Sequence, residues 1–358
     1  MSWLSDEHQG ADFLYLTRAD VAACCAQVDV VGAVQEALVA HTRGETLLPD
    51  EAYLGWPDSA GNSARCLAMP GGLRRDGGWV VGLKTINGSL GNVGRGIPRS
   101  QGFTLLFDPD TARPTVLMEA AYVSALRTAA VTAVSARHLG RARVTSMALI
   151  GCGTLAKAHL ALLPDACPDL AALTVFDTDP QRAELLAKAA RGEPNTAHLE
   201  IRVAADAREC VREADLVVTT TTVTEGYLPF DWLRPGALVA HVSLDDVLPD
   251  VVAQADLVLV DDWSLVSHDH RRLLGRMYRE GTLLAPDGGH HPGCVPRAQA
   301  RRVDGSLGDV IVGDVPGRTR DTDIVLSNPF GMAVLDVAVA ARVQDRALAV
   351  GLGRRLPV

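Results

Sequence analysis

Residues 144–156 read VTSMALIGCGTLA, an apolar run that closes on Gly151-Cys-Gly153 and leads into a helical pattern. That order is a strand, a tight turn and a helix. The first glycine allows the turn, the second lets a phosphate group approach the backbone, and the small Ala156 lets helix and strand pack closely. The N–H groups and positive dipole end of the helix favour an anion at this point. Twenty-four residues beyond Gly153, the next apolar run ends in Val-Phe-Asp177. A carboxylate there accepts both ribose hydroxyls of an adenosine and repels a 2′-phosphate, so NAD is favoured over its phosphorylated form. Incidental glycines in an ordinary strand–turn–helix are the competing reading. Agreement of strand, glycines, helix and acid in order and spacing argues against it.

Outward from this turn, strands alternate with helices. LTVFDTD, IRVAAD, DLVVTTTT, ALVAHVSL and DLVLVDD are apolar runs, with helical stretches predicted at 154–163, 180–191 and 207–214. Such alternation predicts an α/β fold, a Rossmann-type doubly wound parallel sheet. Before it, residues 45–118 carry short apolar runs between turn residues, the pattern of an antiparallel meander. The stretch LYL at 14–16 reads as a strand, with Thr17 and Asp20 as a capping pair before amphipathic helices that include 29–43. Residues 119–139 and 331–350 read as helices. Residues 284–308 are rich in Gly, Pro and Arg and read as a loop or mobile insertion. The expected division is an α+β substrate and dimerisation domain from 1–126 and 326–358, with an NAD-binding domain at 127–325.

The chain has 358 residues, 34 basic against 43 acidic, and a formal charge of −9. No basic cluster stands out, which argues against nucleic-acid binding. No apolar run reaches the length of a membrane span, and the first residues lack the apolar core of a signal peptide. Seven cysteines without a Cys-x-x-Cys pair argue against a disulfide framework and fit a reducing, cytoplasmic setting. His290, His291 and Cys294 lack a second ligand pair, so no metal site is expected.

Three cations stand in apolar or small-residue surroundings: Arg65, Lys84 and Arg127. Buried charges need partners. A substrate carboxylate is one, and a protein carboxylate or a snorkelling side chain is the plainer alternative. Asp245 and Asp246 follow the strand ALVAHVSL, where a carboxylate faces the cofactor crevice of a doubly wound sheet. Acid–base work, ammonium binding and helix capping are all open to them. Thr219 to Thr222 end another strand at the same edge, and Thr220 and Thr221 are taken as cofactor contacts, although β-branched residues also simply favour strands.

Ala-Met-Pro (68–70), Gly-x-Lys (82–84), Met-Glu-Ala (118–120), Leu-Arg-Thr-Ala-Ala (126–130) and Gly-Cys-Gly (151–153) together resemble the ornithine cyclodeaminase/μ-crystallin family, over about residues 13–350. Asp231-Trp-Leu, Val260-Asp-Asp-Trp-Ser264, Gly313-Asp-Val-Pro-Gly-Arg318, Asn328-Pro-Phe-Gly-Met332 and Arg99-Ser-Gln-Gly102 narrow the resemblance. They are similar to the branch that cleaves N-(2-amino-2-carboxyethyl)-L-glutamate oxidatively to L-2,3-diaminopropionate and 2-oxoglutarate, for siderophore or peptide natural products. The resemblance implies NAD as cofactor, a small anionic amino-acid substrate and a homodimer. It implies Arg65, Lys84, Arg99 and Arg127 on substrate, with Lys84 and Asp246 catalytic and Asp245 the other candidate for the acid. The cofactor contacts expected are Thr128, Gly151, Gly153, Thr154, Leu155, Asp177, Thr220, Thr221, Val242 and Ser243. A redox-neutral ornithine or lysine cyclodeaminase, a cyclic ketimine reductase and a non-catalytic binding protein are the other activities the resemblance allows. The length of 284–308 is a departure from that branch.

Overall fold

The computed structural model describes residues 12–357. In chain order it begins with β1 (Phe13–Leu16), α1 (Arg18–Cys25), α2 (Val30–Thr42), β2 (Thr46–Leu47), β3 (Ala52–Pro57), β4 (Ser63–Arg75), β5 (Gly78–Ser89), β6 (Ser100–Phe107), β7 (Pro114–Glu119) and α3 (Ala120–Leu139). It continues with β8 (Ser146–Ile150), α4 (Thr154–Ala166), β9 (Ala172–Phe176), α5 (Pro180–Gly192), β10 (Glu200–Val203), α6 (Ala207–Val211), β11 (Leu216–Thr219), β12 (Leu238–His241) and α7 (Pro249–Gln254). Then follow β13 (Leu257–Val260), α8 (Trp263–His268), α9 (Leu273–Arg279), β14 (Leu283–Leu284), β15 (Arg301–Arg302), β16 (Gly305–Ser306), α10 (Leu307–Val312), β17 (Val325–Asn328), α11 (Ala333–Val350) and β18 (Arg354–Leu356). Two compact units result. One holds the described residues up to Ala33, Gly44–Ser124 and those from Ala333 on; the other holds Val34–Arg43 and Ala125–Met332.

The first unit is a sheet in the order β18-β1-β7-β6-β5-β4-β2, with β3 also on β4. The meander from β2 to β7 is antiparallel, as its turn residues predict. β1 joins it parallel to β7, a pairing no local pattern announces. Thr17 and Asp20 cap α1 reciprocally, each accepting the other's backbone N–H. Helix α11 lies on β4 and β5 where Gly71 and Gly82 face each other in register. A Cβ on Gly71 would come within 3.1 Å of the Ala333 Cβ, and one on Gly82 within 3.2 Å of a Val337 methyl. These two glycines let the helix settle closely onto the sheet.

The second unit is the doubly wound sheet, ordered β10-β9-β8-β11-β12-β17-β13-β16, with every neighbouring pair parallel. β8, β11 and β12 are buried along most or all of their length, as a sheet covered on both faces requires. The strand order reverses between β8 and β11, the position at which such sheets bind ligands.

Residues 284–308 are a loop for most of their length, tied down by backbone hydrogen bonds. The Arg297 N–H donates to the Gly281 carbonyl at 2.8 Å and the Arg301 N–H to Thr282 at 2.9 Å. β15 pairs with β14, β16 extends the large sheet, and Arg301 holds Asp304 across the turn. Composition shows flexible residue types but not the partners that fix them. Two helix limits also shift: α6 stops at Val211, and the last long helix starts at Ala333.

Candidate functional site

At the reversal point, Gly151 leaves β8 with φ +88°. A Cβ there would stand 2.8 Å from the Thr220 carbonyl oxygen, so only glycine lets β8 and β11 approach this closely. The Thr220 hydroxyl donates to the Gly151 carbonyl at 2.7 Å, which fixes the turn from the other side. Gly153 is the N-cap of α4, and its missing Cβ faces open space, with no atom within 4 Å. Gly153 and Thr154 are exposed at the start of the helix and Leu155 follows half-buried. That is the space and dipole a pyrophosphate needs. Asp177 accepts from the Cys152 N–H at 2.8 Å and the Asp179 N–H at 2.9 Å, so its carboxylate is held beside the glycine turn. Burial, then the Asp177 charge, push the Cys152 thiol up to about 12, which leaves it protonated and inert.

One turn into α4, His159 is fully buried and burial takes it down to about 4. The neutral ring donates from Nδ1 to the Leu155 carbonyl at 2.7 Å, and Nε2 accepts from the Thr132 hydroxyl at 2.9 Å. It ties the cofactor helix to α3, the helix that carries Arg127 and Thr128. Arg127 is 8 % exposed. Its guanidinium lies against Gly331, where a Cβ would come 2.6 Å from Nη1. Gly331 adopts φ +98°, and the N–H groups of Phe330 and Gly331 donate to Asp261 at 2.9 and 2.6 Å. Burial raises the Asp261 carboxyl although these N–H donors oppose the shift.

β12 ends in His241, followed by Val242, Ser243, Leu244, Asp245 and Asp246. Asp246 is fully buried. It accepts from the Thr221 hydroxyl at 2.6 Å, from the Tyr227 hydroxyl at 3.1 Å and, at short range, from the Ser243 hydroxyl. Its own N–H donates to His241 Nε2 at 2.9 Å, and His241 Nδ1 donates to Asn328 at 2.6 Å. Nε2 therefore carries no proton, and the 3.6 Å approach of His241 to the Asp246 carboxylate is not an ion pair. Burial keeps the imidazole neutral. Burial and the Asp246 charge raise the Tyr227 phenol, so it remains a donor. Asp245 faces elsewhere, pairing with Arg272 at 2.8 Å and Arg276 at 3.1 Å. Neither aspartate caps a helix: α7 starts after Leu248. Leu244, between the strand end and the two acids, has φ +75°.

In the first unit, Lys84 is 1 % exposed and its Nζ lies 2.7 Å from Asp336 Oδ2, on α11 and itself 0 % exposed. Arg65 lies on the same face as Lys84, nearer one strand end, because alternate residues of a strand share a face. Its Nε is at 4.0 Å from the Cβ position of Gly88, its cross-strand neighbour. Arg99 is exposed at the entry to β6, with its carbonyl accepting from Ser89. Arg65, Lys84 and Arg99 thus belong to one unit, while Arg127, Asp246 and the cofactor residues belong to the other.

Asp336, Asp261, His241, Tyr227 and the pair Arg272 and Arg276 were not anticipated from sequence. A signal existed for two of them: Asp336 is a lone acid in MAVLDVAVA, and His241 a lone polar residue in ALVAHV.

The ornithine cyclodeaminase/mu-crystallin family model matches residues 12–351. The chain is 30% identical over 351 residues to the N-((2S)-2-amino-2-carboxyethyl)-L-glutamate dehydrogenase of Staphylococcus aureus (strain NCTC 8325 / PS 47), covering 96% of this chain and 98% of that one. Among solved structures, CmnK is 42% identical with a TM-score of 0.87, over 97% of this chain and 99% of CmnK. An archaeal alanine dehydrogenase dimer with bound NAD shares the fold, with a TM-score of 0.80 at 24% identity over 96% of this chain and 99% of that one. The glycine turn, the buried lysine on the companion sheet and the family match over nearly the whole chain lead to one statement: the chain belongs to the ornithine cyclodeaminase/mu-crystallin family.

Proposed function

We propose that this NAD-dependent oxidoreductase cleaves N-(2-amino-2-carboxyethyl)-L-glutamate oxidatively, giving L-2,3-diaminopropionate and 2-oxoglutarate. The observation that carries the reading is the full-length likeness to the Staphylococcus aureus enzyme of that name, together with the cations of the first unit. Arg65, Lys84 and Arg99 of that unit, and Arg127 of the other, are cations of the kind that bind a substrate with three carboxylates. Gly151, Gly153 and Thr154 would hold NAD, with Asp177 at its ribose, and NAD would supply the hydride acceptor. Thr128, Leu155, Val242 and Ser243 complete the cofactor contacts in this reading, and Thr220 and Thr221 shape the crevice.

The chain's own groups then do the proton work. Loss of hydride from the glutamate α-carbon leaves an imine, and water adds to it. Collapse of the adduct breaks the C–N bond and returns a proton to the departing amine. Asp246 is the acid–base group in this scheme: it takes the proton from the amine or from the water. Its three hydroxyl donors can rotate to follow a change of charge, whereas both oxygens of Asp245 are taken up by the guanidinium groups of Arg272 and Arg276. Lys84, oriented by Asp336, meets a substrate carboxylate.

We infer a homodimer as well, formed by the first unit, where Leu47, Tyr53, Leu54, Trp56 and Phe103 are all exposed. Patches of exposed large apolar side chains mark association surfaces. Light scattering after size exclusion checks the mass.

The assay for the reaction is absorbance at 340 nm with NAD⁺ and this substrate, with ornithine in parallel. NADH with 2-oxoglutarate among the products is expected. Proline and ammonia from ornithine at constant absorbance, without NADH from the first substrate, would instead make it a cyclodeaminase.

A further inference from the structure

Leu244 is a γ-branched residue at φ +75°, a region that L side chains rarely adopt and that persists only when the surroundings hold it. Among the described residues the other non-glycine positive-φ positions are Asp76 and Ala112, both at hairpin turns. Directly after Leu244 comes Asp245, 2 % exposed, gripped at one oxygen by Arg272 and at the other by Arg276. Arg276 also donates to the Arg271 carbonyl. α9, which carries Arg276, is braced in turn. The ring of Tyr278 packs edge-on against Trp263 at 5.0 Å and His291 at 5.5 Å, and the Cys294 thiol donates to the Tyr278 carbonyl at 3.7 Å. His291 and Cys294 belong to residues 284–308, a segment the proposed reaction does not use.

We propose that Arg272 and Arg276 are positioning residues that act through Asp245. They hold the turn at Leu244 in its unfavourable conformation and so keep Asp246 inside its ring of hydroxyl donors. The segment 284–308 serves the same end by fixing α9. This rests on reading Asp246 as the acid–base group. Without the clamp, the turn relaxes toward φ below zero and Asp246 leaves its place for part of the time. The fraction of competent enzyme falls, which lowers kcat and leaves KM for NAD unchanged.

The test is the double variant R272Q/R276Q, alone and with L244G. Glycine adopts φ +75° freely, so it makes the turn independent of the clamp. kcat of R272Q/R276Q is expected to fall by about 10- to 100-fold, the range for slight misplacement of a reacting group. Addition of L244G is expected to restore most of it, and L244G alone to stay active. Asp245→Asn should behave like the double variant and be rescued in the same way. Hydrogen exchange at the Asp246 amide, which His241 accepts, gives a second readout that needs no substrate. It should quicken in the double variant and slow again with L244G. Unchanged kcat and exchange in R272Q/R276Q overturn the proposal. So does an Asp245→Asn loss that L244G leaves untouched, which would make Asp245 itself the acid–base group. If the wild type releases no NADH from the proposed substrate, that reaction is wrong, and the exchange data still decide the clamp.

Discussion

Two glycines, two positions apart, should fail in different ways when each is given one methyl group. In Gly151→Ala, the methyl meets the Thr220 oxygen at 2.8 Å, the Thr220 carbonyl carbon at 2.9 Å and the Thr221 nitrogen at 3.0 Å. All three are backbone atoms at the end of a buried strand and cannot swing aside. The positive φ adds about 1 kcal/mol, and forced separation of packed backbone adds about 1–3 kcal/mol. The sum, roughly 2–4 kcal/mol, corresponds to a melting point about 5–15 °C lower. In Gly153→Ala, φ is −91° and nothing lies within 4 Å of the new methyl. The fold should be unchanged, or firmer by about 0.5 kcal/mol through a stiffer unfolded chain. The methyl instead occupies the approach to the N-terminus of α4, and NADH affinity should fall about 100-fold, near 2.7 kcal/mol. Differential scanning fluorimetry and titration of NADH fluorescence separate the outcomes. A Gly151→Ala protein that melts with the wild type, or a Gly153→Ala protein that binds NADH as tightly, would refute the reasoning.

Gly331→Ala should press on the Arg127 guanidinium, 2.6 Å from the new methyl, and raise the substrate KM about 10-fold in steady-state assays while NADH binding persists. Asp336→Asn leaves the Lys84 ammonium buried beside a neutral amide and should cost about 3–5 kcal/mol in denaturant unfolding. A Lys84→Met, Asp336→Leu double variant should lose less stability than Asp336→Asn, although its activity is lost. His159 remains neutral in the fold until about pH 4, whereas an unfolded histidine takes its proton near 6.5. Its contribution, about 3 kcal/mol, is present above pH 6.5 and lost as the pH falls toward 4; His159→Gln should flatten that part of the stability–pH curve. His241, also held neutral, would add slope in the same direction. Asp177→Asn should shift the NAD to NADP preference in kcat/KM by about 10-fold or more toward NADP.

The cofactor turn was legible because its information is local. Strand, glycines and helix sit within thirteen residues, and Asp177 arrives at the spacing the fold demands. Lys84 was legible as a cation in an apolar strand, yet its partner was not, because Asp336 lies 252 positions further on and meets it only through a facing glycine pair. The two aspartates at 245 and 246 look alike in sequence. They part company in space, one toward two arginines from another helix and one into three hydroxyls. The glycines and prolines of 284–308 mark a loop or mobile insertion, but nothing in composition reveals the backbone partners at Gly281, Thr282 and Leu284 that tie it down.

The Lys84–Asp336 pair also has a meaning in time. During synthesis, at about 5–20 residues per second, the lysine emerges roughly 13–50 s before the aspartate that will neutralise it. The doubly wound unit is complete at Met332, just before α11 begins, so it is the first of the two able to close. The sheet bearing Lys84 has to wait for α11, the helix that covers its face. Nascent chains that expose Met332 but not α11 should therefore yield one protease-resistant unit, and chains released after α11 should yield both.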